Sequence, residues 1–210
     1  MSKQPAPEGA AVIMFGDAPE FEAWLEMHVD LQIGVWLKIA KKGSGAPSLT
    51  SDEAVDVGLC FGWISGQRKS LDEVHYLQKY VPRRPRSRWS QVNVAKVKAL
   101  TAAGRMRPPG LAEVAAAKAD GRWTAAYAPQ RTAIVPPDLA HALARSLEAA
   151  RAFDTLNRTQ RYAIILQLTT ARTTPARSAL LRRTVRELER RSAGERGICE
   201  PPPRRFGLGA

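Results

Sequence analysis

Along the chain, hydrophobic positions change their period from one segment to the next. Phe21, Trp24, Leu25 and His28 recur at helical spacing behind Asp17, which can cap, and Pro19, which suits a first turn, so residues 18–28 are predicted to form an amphipathic helix. After Gly34 the period drops to two. In "VWLKIAKKG", Val35, Leu37 and Ile39 fall on one face and Trp36, Lys38 and Ala40 on the other, the pattern of a half-buried strand. Thr50 then stands three residues before Glu53, the spacing of a capping box, ahead of the apolar face Ala54, Val55 and Leu59 of a helix that ends near Gly62. "WISGQRKS" and "VHYLQKYVP", joined through Ser70 to Glu73, are rich in branched and aromatic residues and predict two strands, the second stopped by Pro82. Ser87 or Ser90 can cap a helix carrying Val94, Val97 and Leu100 and closed by Gly104, and Pro108 and Pro109 open another that runs to Gly121.

Beyond Pro137 no strand pattern returns. Helical segments follow at roughly 138–145, 148–155, 158–171 and 175–192, with Pro137 and Pro175 near their starts. Strands followed by runs of helices predict an α+β fold, predominantly helical, with a few short antiparallel strands in the N-terminal two-thirds and a helical C-terminal third. The expected organisation is a mobile segment over 1–16, an α+β core over 17–135, a helical unit over 136–193 packed on that core, and a mobile tail over 194–210, where prolines and glycines interrupt any long element.

Charge narrows the function. Against 20 acids stand 32 Lys and Arg, a formal net charge of +12, whose field attracts phosphates, anionic lipids or acidic proteins. The apolar run Ala10–Phe15 is too short for a secretory h-region, and no run approaches the roughly 18–20 residues of a spanning helix. Cys60 and Cys199 lack CxxC spacing and fit a reducing compartment, so a cytoplasmic protein without a transmembrane segment is expected.

One run concentrates the positive charge. "YVPRRPRSRWSQVN" holds four arginines and a tryptophan with no acid. Pro82 and Pro85 restrict the backbone, and the guanidinium groups of Arg83, Arg84, Arg86 and Arg88 can grip phosphate or carboxylate at two points, beside a helix start that also favours an anion. Trp89 suits either stacking on a ligand or filling the core. Arg68, Lys69 and Arg122 are further candidates for the same anion site; the competing outcome is that these side chains pair with the fold's own carboxylates. Asp72 and His75 are the weak candidates for acid and base work, although the strand would turn His75 away from Tyr76. His28, His75 and His141 are scattered, so no metal site is expected, and no Walker loop or dinucleotide fingerprint calls for a cofactor. The segment "PARSALLRRTVRELERR" predicts a helix with the apolar stripe Ala179, Leu180, Thr184, Val185 and Leu188 under a basic face.

Taken in order, "CFGWISG", "LDEVHYLQKYVPRRPRSRWSQVN", "GRMRPPGL" and "AKADGRW" resemble the YdeI/OmpD-associated, or bacteriocin-protection, family, and the resemblance runs from about Phe21 to Val185. Ser65 stands where that family commonly has Asp in GWID, and "TTPARSALLRR" is a blurred form of its C-terminal threonine-arginine motif, which leaves the role of Arg177 open. The resemblance implies a small bacterial protein with a role in tolerance to bacteriocins or cationic antimicrobial peptides and an association with an outer-membrane porin; it implies no reaction. Three readings follow. The leading one is a stress-tolerance protein with an Arg/Trp anion site for nucleic acid or a phosphorylated ligand. The second is an enzyme on an anionic substrate, and the third is a module that binds an acidic protein or lipid through the basic C-terminal helix.

Overall fold

A computed structural model describes residues 9–171 and 173–197, with side chains up to residue 193. Residues 1–8 and 198–210, and with them Cys199, lie outside the described residues. The chain divides between Ala126 and Tyr127 into two units.

Among the described residues the first unit is a four-stranded sheet and four helices, in the order β1 (Val12–Ile13), α1 (Ala18–Met27), β2 (Val35–Ala40), α2 (Ser51–Cys60), β3 (Trp63–Ser70), β4 (His75–Pro82), α3 (Gln91–Ala102) and α4 (Pro108–Ala119). The sheet order is β1-β2-β4-β3, with β1 parallel to β2 and the other neighbours antiparallel. Local chemistry sets the helix starts. Asp17 accepts the Glu20 amide, Thr50 and Glu53 form the reciprocal capping box, and Ser90 accepts the Asn93 amide. Val35, Leu37, Ile39 and Tyr80 on one sheet face join Phe21, Leu25, Val57, Leu59, Val97 and Val114 from the helices in the main core.

Two expectations change here. The segment 9–16, read as mobile, supplies the parallel strand β1 and buries Ala10 and Phe15. The second face of β2 is not open either. Trp36 is fully buried with Ala10 and Leu77, and the ammonium groups of Lys69 and Lys79 sit 5.0 and 5.7 Å from its ring centroid. Lysine stems thus complete a small hydrophobic layer on the face that alternation alone assigns to solvent.

The second unit contains α5 (Pro137–Ala144), α6 (Leu147–Thr155), α7 (Arg158–Thr169) and α8 (Thr174–Gly197). Residues 127–135, read as the end of the first unit, go with this one: Tyr162 donates its hydroxyl to the Ala128 carbonyl at 3.0 Å, and Gln130 reaches Thr159 at 3.3 Å. The core is Leu139, Ala149, Ala152, Phe153, Leu156, Leu168 and Leu188. In α8 the docked stripe takes Leu181 and leaves Ala179 exposed, which rotates the packed face slightly from the one expected. Together the units make an α+β protein in which helix predominates. Among the described residues no helix is long and apolar enough to cross a membrane.

Candidate functional site

The arginine run leaves β4 at Pro82 and reaches α3 at Gln91. Its backbone is fixed at both ends and in the middle. Arg83 donates its amide to Gly62 O at 2.9 Å, the Ser87 amide reaches Arg84 O at 2.8 Å, and Ser87 Oγ accepts the Arg84 amide at 2.9 Å, closing a tight turn. Arg83 and Trp89 turn inward. The Arg83 guanidinium carbon lies 3.6 Å from the Trp89 ring centroid, its Nη1 donates to Arg88 O at 3.1 Å, and the two side chains are 5% and 2% exposed. Trp123 covers another side of the Trp89 ring at 4.9 Å and 61°. Neither residue therefore offers a free face to a ligand, and both act as anchors of the loop. Arg122 is a third anchor: it donates to Ser87 O at 3.1 Å and pairs with Asp120 at 2.6 Å.

Arg84, Arg86 and Arg88 are exposed, and no carboxylate among the described residues lies at ion-pair distance from any of them. The run thus separates into an inner set that holds the loop and an outer set of three exposed cations, Arg84, Arg86 and Arg88.

Arg68 and Lys69 do not join this loop. Arg68 pairs in register with Gln78, five residues before Arg83 along the chain, which is about 17 Å at the rise of a strand. It faces the helix side of the sheet, whereas Lys69 faces Trp36 on the other side. Arg68 instead borders a cavity of about 560 Å³ together with Lys41, Lys42, Ser51 and Tyr76. Sequence reasoning missed this grouping, although the signal was present: "KKGSG" combines two lysines and two glycines just ahead of a helix cap.

Asp72 and His75 hold one another in the β3–β4 turn. Asp72 Oδ1 accepts the amides of Val74 and His75 at 2.8 and 2.6 Å and lies 3.2 Å from His75 Nδ1. The His75 amide, chiefly, keeps the Asp72 carboxyl below the ordinary carboxylate range. Neither residue borders the cavity, so the convergence an enzyme reading needs is not formed by this pair.

In the second unit Arg177 now has a place. Its Nε and Nη2 donate to the two Asp138 oxygens at 2.7 and 2.8 Å, and Nη1 donates to Leu168 O at 2.7 Å, so one guanidinium joins α8, α5 and α7. Arg177 lowers the Asp138 pKa and Asp138 raises that of Arg177.

Comparison with known families divides the chain in a similar way. Residues 13–113, in the first unit, match a family described as Domain of unknown function (DUF8412). Residues 132–191, in the second, match the family described as Bacteriocin-protection, YdeI or OmpD-Associated. The helical unit therefore carries a domain of that family, on the segment that includes "TTPARSALLRR". The motifs "CFGWISG" to "GRMRPPGL", which carry much of the sequence resemblance, fall in the segment matched by the other family. No curated protein and no solved structure matches the chain.

Proposed function

We propose that this protein is a cytoplasmic anion-binding protein that engages nucleic acid, or another phosphorylated ligand, through Arg84, Arg86 and Arg88, in the service of stress or antimicrobial-peptide tolerance. The observation that carries the reading is the split within one loop: Arg83, Trp89 and Arg122 anchor it from inside, while three guanidinium groups stand outside with no carboxylate at ion-pair distance among the described residues. An anchored loop loses less freedom on binding, and a protein of +12 draws phosphate-rich partners toward it. The tolerance role is supported by the family matched over residues 132–191, whose description names bacteriocin protection. Protection by direct capture of a cationic peptide is disfavoured by like charge, so the route is indirect. The test is fluorescence anisotropy with a labelled single-stranded oligonucleotide. Binding at low salt that weakens steeply as salt rises is expected. No binding at low salt overturns the reading.

One observation supports a second reading, contact with an acidic protein or lipid: α8 exposes Arg182, Arg183, Arg186 and Arg190 opposite its docked stripe. Because Leu188 and Thr184 of the same helix are buried, truncation is a poor test. Charge reversal at Arg182, Arg183, Arg186 and Arg190 removes the basic face and spares the buried stripe; retention of anionic-vesicle and acidic-protein binding by that variant would exclude this surface.

A further inference from the structure

The cavity beside Arg68 combines three features that point to one kind of ligand. The first is uncompensated charge. Lys41, Lys42 and Arg68 lie on its wall, and none has a carboxylate at ion-pair distance among the described residues. Asp52 is the acid on the wall, and it lies 3.7 Å from Lys96 Nζ.

The second is pre-orientation of the guanidinium. The β3–β4 register shifts between Ser65 and Arg68. The carbonyls of Gly66 and Gln67 in that bulge accept from Gln78 Nε2 at 3.0 and 3.1 Å. Gln78, only 5% exposed, then accepts from Arg68 Nε at 2.9 Å. From below, the Tyr76 ring supports the guanidinium at 4.3 Å, and Nη2 reaches Ser51 Oγ at 3.3 Å. A bulge and a buried amide together aim one arginine, which is how bulges are used beside sites. Its Nη1 donors remain without a hydrogen-bond partner among the described residues.

The third is the loop opposite. Lys41 Nζ is held by Asp72 O at 2.7 Å, and Gly43 and Gly45 adopt φ of +85° and +73° with open space where a Cβ would stand. These glycines serve the backbone path and leave the loop's surface clear.

We propose that this cavity binds a small phosphomonoester, with Arg68 as a two-point clamp and Lys41 and Lys42 as counter-charges. Three cations and one acid leave two positive charges, which match the roughly −1.5 to −2 of a phosphomonoester better than the single charge of a carboxylate. The volume exceeds that of phosphate alone. The Arg68 guanidinium covers one face of the Tyr76 ring, and the wall carries the hydroxyl residues Ser48, Thr50 and Ser51, a lining that suits a hydroxylated body of sugar size better than an apolar one. This site is separate from the arginine loop and does not depend on it.

Isothermal titration of the full chain with glucose 6-phosphate, and with glucose as control, tests the proposal. Saturable binding of the phosphate ester and none of the free sugar are expected. Arg68→Met and Arg68→Lys should each weaken binding about ten- to hundredfold, since the lysine keeps the charge and loses the fork. Lys42→Ala, on an exposed loop where folding is not at stake, should also weaken it, by at least about twofold. The triple variant Arg84→Ala, Arg86→Ala, Arg88→Ala should bind as the parent does. Absence of binding at low ionic strength, or binding unchanged by Arg68→Lys and Lys42→Ala, or binding lost in the triple variant, overturns the proposal.

Discussion

Arg177 offers a perturbation whose size follows from its three hydrogen bonds. The pair with Asp138 is neither shielded nor free, with side chains 30% and 36% exposed. Charge-assisted bonds contribute about 1.5–3 kcal/mol when well buried and exposed pairs about 0–1 kcal/mol, which puts the two bonds to Asp138 at roughly 1–2 kcal/mol together. The bond to the Leu168 carbonyl adds about 1 kcal/mol. Arg177→Met, which keeps the stem and removes the fork, should therefore cost the helical unit about 2–3 kcal/mol. For a domain of this size that is a fall in Tm of roughly 10–20 °C, read by calorimetry on the full chain. Arg177→Lys should recover only part of the loss, because an ammonium cannot span both Asp138 oxygens and the Leu168 carbonyl. Acid provides an independent check. Hydrogen bonding by Arg177 holds the Asp138 carboxyl below its ordinary value, so its contribution is complete above the unfolded carboxylate pKa near 4 and is lost as pH falls through the depressed folded value. The stability gap between the parent and Asp138→Asn should accordingly close in acid. If Arg177→Met unfolds within about 1 °C of the parent, a difference too small for even 0.5 kcal/mol, or if the gap persists at low pH, the three-helix clamp is wrong.

Gly110→Ala should loosen the contact of α4 with α2, because the new Cβ would stand 2.1 Å from Cys60 O and 2.9 Å from Leu59 O; a loss of about 1–3 kcal/mol or more is expected in the urea midpoint. Trp89→Ala should cost about 3–5 kcal/mol and speed amide exchange through residues 83–88, since the ring supports Arg83 and packs on Trp123. Thr50→Ala should remove about 1 kcal/mol by opening the capping box, measured by chemical denaturation.

Much of the fold was legible because its signals are local. The Thr50–Glu53 box, the caps Asp17 and Ser90, and the alternation of Val35, Leu37 and Ile39 each specify an element without help from distant residues. What escaped depends on distant pairing. The two-residue strand β1 is too short to carry a period, and Trp36 is buried by Ala10, far back in the chain, with Leu77 and lysine stems. The arginine loop was legible as a cluster, yet residue type could not say that Arg83 turns inward while Arg84 turns out. That choice is made by Trp89 and Trp123 on the inner side. Arg68 was grouped with the loop by charge, and only the bulge and buried Gln78 send it to a different cavity.

The central claim is that Arg84, Arg86 and Arg88 are open to phosphates from outside. The direct measurement is the slope of log K against log salt for a single-stranded oligonucleotide, in the parent and in the variant with all three replaced by alanine. Each phosphate contact on a single strand contributes about 0.7 to that slope, so the variant should be shallower by about 2 and bind more weakly throughout. Equal slopes and affinities in the two proteins, or no binding by the parent at low salt, would contradict the account.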